Sequence, residues 1–298
     1  MPSKVINAPF YRLDKLSAKL GIDLWIKRDD LIPHYLGGNK VRKNLKILSG
    51  FDETPDVIIT NGGAESNHAR VVALMGAQLG CKVHLVLHGE EPPVDRASGN
   101  SFFYRAAEAE AHFVESQDIA PTIQTLESRS VEQGLSVLVI PGGGHSTDGA
   151  AAYAEAINEL TFEPDYIVHA SGTGGTQAGL LQGVIDKCWR THVVGVSVAR
   201  AAQRGAVEIA KLLPSDFPLD KIDLREEYRF GGYEQFNDDL FRLVKSVVRE
   251  EGIPLDLTYT GKAMFGLHQL VTTGEIKQGS QVVFWHTGGL LNLQSARF

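Results

Sequence analysis

The stretch DYIVHASGTGGTQAG, residues 165–179, leads from a short apolar run directly into a turn of small residues. The run predicts a β-strand that is apolar on both faces, as expected when helices cover both sides of a parallel sheet. The turn contains Gly172, Thr173, Gly174, Gly175 and Thr176. Its glycines let backbone amides point toward one spot, and its threonines add hydroxyl groups at the start of the next helix. Such a nest is typical of a phosphate-binding junction.

Two familiar phosphate motifs do not fit this turn. Gln177 lies where a dinucleotide fingerprint needs its third small residue. No Gly-Lys-Ser/Thr run closes the turn, so it is not a nucleoside-triphosphate loop. A tight turn that only packs the helix on the strand is the structural alternative, but five small or hydroxyl residues in a row favour phosphate binding.

The alternation of apolar runs and helical patterns extends along the whole chain. The runs that predict strands are 23–28, 56–60, 82–88, 136–140, 165–170, 192–198 and 281–286. Between them, apolar residues recur at helical spacing, which predicts an α/β fold with open sheets. Glycine-rich junctions follow several strands, at 60–70, 140–150, 169–179 and 285–292. Because ligands bind outside the carboxyl ends of the strands in such sheets, these junctions predict one shared site.

The composition narrows the possible functions. With 298 residues, 43% of them hydrophobic and 22% charged, the chain can form one large or two modest cores. Its net charge of -7 gives no general attraction to nucleic acid or to anionic membranes, so small-molecule chemistry is favoured. Cys81 and Cys188 form no CxxC pair that would indicate a zinc or redox site. Without an apolar leader or an apolar run of about 18 residues, we expect a soluble, cytoplasmic protein.

A lysine stands between a glycine turn and a helical pattern in LGGNKVRKN, residues 36–44. Lys40 follows Gly37 and Gly38 and precedes the apolar positions of the helix. Taken alone, such a lysine is most simply a solvated charge. Together with a phosphate nest it is what an enzyme needs to hold pyridoxal phosphate, with the phosphate at a helix N-terminus and the aldehyde captured as a Schiff base.

The chain contains many motifs that occur in the same order in a known enzyme family. They are IKRDDL (26–31), LGGNKVRK (36–43), GGAESNHAR (62–70), SGN (98–100), IPGGGHSTDGA (140–150), SGTGGTQAG (171–179), GVSVAR (195–200), YTGKAM (259–264) and HTGG (286–289). The chain resembles the fold-type II, tryptophan-synthase-β-like pyridoxal-phosphate enzymes. Within them it is similar to the group of 1-aminocyclopropane-1-carboxylate deaminases and D-cysteine desulfhydrases. The resemblance covers nearly the whole chain.

The resemblance implies an architecture of two open, twisted α/β domains with the cofactor in the cleft between them. Residues 1–42 and 141–298 would form the larger, cofactor-binding domain, and residues 43–140 the smaller inserted one. It also implies a homodimer that acts on a small amino acid.

The resemblance also implies roles for individual residues. Lys40 resembles the Schiff-base lysine, and Asn67 the partner of the cofactor 3'-hydroxyl. Ser66 resembles the hydroxyl that faces the substrate, and we expect Glu65, Ser66 and Asn67 together to form the substrate side of the site. Gly172 to Thr176 resemble the phosphate loop.

Two C-terminal motifs discriminate within the group. In the deaminases of the group, the corresponding motifs resemble YEGK and HLGG and place a carboxylate near the pyridine nitrogen. In this chain, Thr260 and Thr287 stand in these two motifs. We therefore expect both threonines at the cofactor, as in the D-cysteine desulfhydrases. A hydroxyl can leave the ring nitrogen neutral, and this weaker electron sink favours α,β-elimination over ring opening. The expected reaction releases the β-substituent, pyruvate and ammonia after Lys40 has removed the Cα proton.

Tyr233 and Tyr259 resemble the pair of active-site tyrosines of the group, which would steer a proton or the leaving group. Packing of each ring at a domain edge is the structural alternative. His68, His145 and His286 lie in the same loops, but no metal-ligand spacing links them, and we expect no metal there.

Glu65 departs from the family pattern, which usually has glutamine before the Ser-Asn pair. An ionised carboxylate beside the substrate carboxylate would be repulsive. Glu65 therefore points away, is protonated, or faces a cationic group of the substrate. The loop that follows residues 85–90 also looks shorter than in the family, which would widen the entrance.

Three functions stay open at this point. The first is a lyase or deaminase that acts by β-elimination, with a D-cysteine-like substrate, and 1-aminocyclopropane-1-carboxylate deamination is its close alternative. The second is a β-replacement biosynthetic enzyme that admits a second substrate. The third, a non-catalytic binding protein, is disfavoured because Lys40, Asn67 and the phosphate loop are all retained.

Overall fold

The structure is a computed structural model that describes residues 7–93 and 98–295. In these residues the strands are β1 (Phe10–Arg12), β2 (Asp23–Arg28), β3 (Val57–Gly63), β4 (Lys82–His88), β5 (Glu110–Phe113), β6 (Val137–Ile140), β7 (Tyr166–Ser171), β8 (His192–Ser197), β9 (Asp223–Arg225) and β10 (Gln281–His286). The helices are α1 (Asp14–Leu20), α2 (Asn39–Leu48), α3 (Asn67–Leu79), α4 (Gly99–Ala106), α5 (Ile119–Glu132), α6 (Thr147–Ala156), α7 (Gly175–Asp186), α8 (Ala202–Ala210), α9 (Asp238–Glu251), α10 (Thr260–Thr272) and α11 (Asn292–Ser295). All the strands predicted from the sequence are present, and the predicted α/β fold class is confirmed.

The strands form two sheets. The larger has the order β1-β2-β10-β7-β8-β9, and the smaller has the order β5-β4-β3-β6. All neighbouring strands are parallel except β1, which pairs antiparallel with β2. The strands β1, β5 and β9 were not predicted, and each is a three- or four-residue strand at a sheet edge. The smaller sheet lies wholly within 57–140, but the predicted domain boundaries stay a prediction.

Helices cover both faces of the larger sheet, which is why its strands are apolar on both sides. Along β10, Val282 and Phe284 face a core formed with α1, α9 and α10, whereas Val283 and Trp285 face a core formed with α6, α7 and α8. The smaller sheet is likewise covered, with α3 on one face and α5 on the other. None of the helices in the described residues is both long and apolar enough to cross a membrane.

A buried ionic network fixes helix α2 to the larger sheet. Asp29, fully buried, accepts hydrogen bonds from Arg42 on α2, from the Tyr153 hydroxyl and from the Trp285 indole. These charges are paired, which a buried carboxylate requires. The network therefore sets the position of the helix that begins just before Lys40.

Candidate active site

The carboxyl ends of strands from both sheets open into a cavity of about 600 Å³. All four glycine-rich junctions reach it, as predicted, and so does the start of α2. Its volume is in the range of pockets that enclose small ligands. The cavity is therefore the candidate active site.

Lys40 lies in the first turn of α2 and lines this cavity. Its Nζ donates to the carbonyl oxygen of Gly143 at 3.2 Å, and no carboxylate of the described residues forms an ion pair with it. Burial, and then the positive charge of Arg200, lower the pKa of the Lys40 amine to about 8. The neutral fraction near neutral pH is therefore much larger than that of an ordinary lysine, which lets this amine act as a nucleophile and a base. A Cβ at Gly143 would lie 3.3 Å from the amine, so the glycine leaves room for it.

The predicted phosphate loop lies at the N-terminus of α7. Gly174 precedes the helix with a φ of 96°, in the left-handed region that glycine tolerates. Gly172 and Thr173 line the cavity, and the Thr173 hydroxyl is buried without a hydrogen-bond partner. Gly174, Gly175 and Thr176 are not among the cavity-lining residues, and the Thr176 hydroxyl accepts from Asn39.

Lys43 is a second lysine at this loop, and the sequence analysis missed it. It is buried, and its Nζ lies 3.0 Å from the position that a Cβ at Gly175 would take. Burial and then the charge of Lys40 lower the pKa of Lys43 well below its ordinary value. Among the described residues, the amine donates to the carbonyl oxygen of Gly143 alone, at 3.4 Å. An anion at the start of α7 would favour its protonated form. Its spacing of three residues from Lys40 on one helix could have revealed it.

Ser66 and Asn67 both line the cavity at the start of α3. The Ser66 hydroxyl oxygen accepts from the backbone amides of His68 and Ala69, at 3.1 and 3.2 Å, and so caps the helix. Asn67 donates to Asn292 at 2.6 Å and accepts from Arg70 at 3.4 Å. Both side chains are therefore held in place before any ligand arrives.

His68 ties α3 to α2 beneath the cavity. The Thr60 hydroxyl donates to the carbonyl oxygen of Ile140, so His68 Nε2 is the donor in its 2.8 Å contact with Thr60. His68 Nδ1 then accepts from Asn44, at 3.2 Å. Burial, with Lys40 and Lys43, lowers the pKa of His68 well below its ordinary value. The ring is therefore neutral and structural.

Tyr233 and Tyr259 both reach the cavity, and their hydroxyl oxygens lie 3.0 Å apart. Tyr233 is 40% exposed overall, but desolvation of its hydroxyl beside Tyr259 raises its pKa to about 12. Burial, followed by the neighbouring Tyr233, raises the pKa of Tyr259 well above its ordinary value. Both hydroxyls therefore stay protonated over the physiological range.

The two threonines expected at the cofactor lie in different surroundings. Thr287 lines the cavity. Thr260 does not line it, because its hydroxyl donates to the buried carboxylate of Asp256 at 2.7 Å and accepts from the Asp256 amide at 3.1 Å. The structure therefore assigns Thr260 to the start of α10. No aspartate or glutamate occurs among the described residues that line the cavity.

Glu65 also lies outside the cavity lining. Its carboxylate accepts from the backbone amides of Asn100 and Ser101, at 2.9 and 3.2 Å, and thereby caps helix α4. Of the three arrangements considered from the sequence, the structure has the one in which Glu65 points away. A carboxylate at a helix N-terminus is favourable, so it needs no cation of the substrate.

A family model described as pyridoxal-phosphate dependent enzyme matches residues 2–288 of the chain. The chain belongs to this pyridoxal-phosphate-dependent family. Pyridoxal phosphate is thus its cofactor, and the site fits it. The neutral fraction of the Lys40 amine suits the aldehyde, while the unpaired Thr173 hydroxyl and the buried Lys43 suit the phosphate at the start of α7.

Relatives of this pyridoxal-phosphate-dependent enzyme carry two activities in their names. It is 34% identical over 304 residues to a protein of Pyrococcus abyssi that is provisionally named 1-aminocyclopropane-1-carboxylate deaminase, with 95% of this chain and 89% of the relative covered. It is also 34% identical over 301 residues to a D-cysteine desulfhydrase of Klebsiella pneumoniae, with 94% and 91% covered.

Solved structures agree with the fold-type II assignment of this pyridoxal-phosphate-dependent enzyme. The crystal structure of an ACC deaminase homologue superimposes with a TM-score of 0.84 at 31% identity, covering 98% of this chain and 94% of that one. Cysteine synthase from Entamoeba histolytica superimposes with a TM-score of 0.69 at 18% identity, covering 99% and 91%, and shares the fold.

Proposed function

We propose that the protein is a lyase that removes the β-substituent of a small amino acid by α,β-elimination, with a D-cysteine-like substrate. The observation that carries this proposal is the pairing of the Lys40 amine with a cavity lining that contains Thr287 and no carboxylate of the described residues. Without a carboxylate to keep the ring nitrogen protonated, the electron sink is weaker and prompt loss of a leaving group is favoured. The D-cysteine desulfhydrase names among the relatives support the same reaction.

The chain holds the cofactor from two sides in this proposal. Lys40 would hold the aldehyde, and Asn67 would hold the 3'-hydroxyl. Thr173, the amides of residues 172–176 and the Lys43 amine bind the phosphate. Pyridoxal phosphate, when bound, withdraws electrons from Cα of the attached amino acid, so that the Cα proton can be lost.

Lys40 is the base that takes this Cα proton. A pKa of about 8 gives the free Lys40 amine a far larger neutral fraction near neutral pH than an ordinary lysine has, so it can accept the proton. Gly143 gives the amine a hydrogen-bond acceptor that orients it within the cavity.

Ser66 and Asn67 position the substrate carboxylate in this proposal. The Ser66 oxygen accepts from two helix amides in the structure, which leaves its hydroxyl hydrogen available to donate to an anion. The N-terminus of α3 adds a favourable partial charge. Because Glu65 faces α4, we propose that it acts on the substrate only through the placement of the neighbouring Ser66.

Tyr233 and Tyr259 supply hydroxyl hydrogens to the departing β-substituent. Their hydrogen-bonded pair remains protonated at neutral pH, so it can donate a proton where negative charge develops on the leaving group. The released three-carbon product hydrolyses to pyruvate and ammonia.

The test is an absorption titration of the purified protein with candidate amino acids, with pyruvate assayed in the same sample. We expect a band near about 410 nm from the lysine-bound cofactor, lost in Lys40→Ala and retained in Lys46→Ala, a partly exposed control on the same helix. D-cysteine should then yield pyruvate and sulfide. A band without pyruvate from D-cysteine would reject the proposed substrate, and no band would reject the role of Lys40.

The same assay distinguishes the proposed elimination from two other reactions. The deaminase names among the relatives favour 1-aminocyclopropane-1-carboxylate as a second candidate substrate, which would give a four-carbon 2-oxo acid instead of pyruvate. A β-replacement enzyme would form an adduct with an added thiol and no pyruvate.

We also propose two domains, of 1–42 plus 141–298 and of 43–140, in a cytoplasmic homodimer. The division of the strands between two sheets supports the domains, and the family resemblance supports the dimer. Cys81 and Cys188 are free thiols, which fits a reducing compartment. Light scattering on the purified protein measures the oligomeric state directly.

A further inference from the structure

A cluster of metal-ligating side chains lies on the smaller sheet, outside the cavity described above. Strands β4 and β5 run parallel with His84 opposite Glu110, and His112 follows two residues later along β5. Side chains two residues apart share a face of a sheet, so all three lie on the same side. These residues are not among those that line the active-site cavity.

The ligand atoms of these side chains lie close together, with a different oxygen of Glu110 nearer to each histidine. His84 Nδ1 lies 3.0 Å from His112 Nε2 and 3.6 Å from Glu110 Oε2. His112 Nε2 lies 3.6 Å from Glu110 Oε1. A tetrahedral zinc ion with bonds of about 2.0–2.1 Å holds its ligand atoms about 3.4 Å apart. The distance between the two histidine nitrogens is within about 0.4 Å of this separation. One ligand atom from each of the three residues lies within 4.8 Å of the other two, so small side-chain rotations suffice to bring all three onto one ion.

We propose that His84, Glu110 and His112 bind a divalent transition-metal ion, with Zn²⁺ as the reference ion. Two imidazole nitrogens and one carboxylate are a ligand set that zinc accepts, and a water molecule completes the tetrahedron. Among the described residues, this is the one group of three or more His, Cys, Asp or Glu side chains with ligand atoms this close together.

The environment of the cluster favours metal binding. His112 and Glu110 are 25% and 50% exposed, which gives an ion access from solvent. Lys82 lies 3.1 Å from Glu110 but is itself 59% exposed, so its amine can move into solvent when the ion binds.

The position of the site indicates what the ion would do. Strands β4 and β5 flank α4 in the chain, and α4 is the helix that Glu65 caps beside Ser66. β5 is a four-residue edge strand, held by the ladder to β4 alone. A metal bridge between the two strands would therefore fasten the strands before and after α4, the helix whose first amides bond Glu65 next to Ser66.

The test uses untagged holoenzyme, treated with a chelator, dialysed and titrated with ZnCl₂ by calorimetry in the absence of amino acids. We expect saturable binding of one Zn²⁺ per chain and a rise in melting temperature with Zn²⁺. Glu110→Gln and His112→Gln, which alter exposed or partly exposed side chains, should each weaken binding by at least about tenfold. Co²⁺ should give the visible d–d absorption of a tetrahedral site in the unchanged protein and in neither variant.

The controls address other zinc ligands of the surface. Cys188→Ser and His192→Gln alter an exposed thiol and an exposed imidazole elsewhere, and both should leave the Zn²⁺ affinity unchanged. Melting without metal checks that each variant folds. Absence of saturable binding, or equal Zn²⁺ affinity in His112→Gln and the unchanged protein, would mean that His84 and His112 are only a hydrogen-bonded pair and would overturn the proposal.

Discussion

Glu65 Oε2 accepts a hydrogen bond from the Asn100 backbone amide at 2.9 Å, and this contact joins the loop before Ser66 to the start of α4. The Asn100 side chain returns the contact by donating to the Glu65 carbonyl oxygen at 3.0 Å. The residue that departs from the family pattern is therefore a helix cap that also shapes the loop leading to Ser66. Its carboxylate is directed at amides of its own chain.

Glu65→Ala should lower the free energy of unfolding by about 1 kcal/mol, because two amides at the start of α4 lose their acceptor. Glu65→Gln should lower it less, since the amide oxygen can still accept. Urea unfolding of the holoenzyme measures both changes. A large change in the KM of Glu65→Gln at unchanged stability would instead mean that the carboxylate contacts the substrate.

Thr260→Val and Thr287→Val should affect different properties, the first the stability of the fold and the second the binding of the cofactor. Thr260→Val removes the hydroxyl that bonds Asp256, so we expect a loss of about 1–3 kcal/mol in stability and an unchanged cofactor dissociation constant. Thr287→Val changes the cavity lining, so the cofactor spectrum and affinity should change while stability without the cofactor does not. Chemical unfolding and cofactor titration of both variants decide the matter. Weakened cofactor binding in Thr260→Val at full stability would contradict the assignment.

Tyr233→Phe and Tyr259→Phe should each lower kcat by about 10²-fold or more if the hydroxyl pair donates a proton. Tyr166→Phe, which alters an exposed hydroxyl with a 3.4 Å contact to Glu275, is the control. Because the pKa of Tyr233 is raised to about 12 and that of Tyr259 is raised further above its ordinary value, neither should ionise below about pH 10. The ratio of wild-type to variant rates should therefore not vary with pH up to that point. If all these variants had the rate of the unchanged protein, the two tyrosines would contribute only packing.

The recombination of pyridoxal phosphate with the apoprotein should become faster as pH rises, with a midpoint near the Lys40 pKa of about 8. The charged amine cannot attack the aldehyde, and burial and Arg200 both disfavour the charged form. Arg200→Met removes one of these effects, so the Lys40 pKa should rise and the midpoint should move to higher pH. Stopped-flow absorbance measures the midpoint, with the exposed Arg204→Met as control. A midpoint that falls or stays in place would contradict the coupling between Arg200 and Lys40.

The sequence by itself determined the α/β class, the strands of the sheet interiors and the convergence of the glycine-rich junctions. Interior strands are buried on both faces, so their apolar runs are visible in the chain, and parallel strands necessarily bring their carboxyl ends to one edge. The strands it missed, β1, β5 and β9, are edge strands of three or four residues, too short to show a pattern. Lys40 could be identified from the sequence because a glycine turn directly precedes it and a helical pattern directly follows it.

Only the tertiary structure decided which way Glu65 and Thr260 point, because each side chain is satisfied by a partner whose position depends on how loops and helices pack. The same holds for His84 and His112, which lie 28 residues apart in the chain, and whose nitrogens are 3.0 Å apart. Strand register brings them together, and register is set by hydrogen bonds between backbones and by the packing of both sheet faces. Local patterns therefore identify the elements, whereas contacts between distant elements decide what each polar side chain binds.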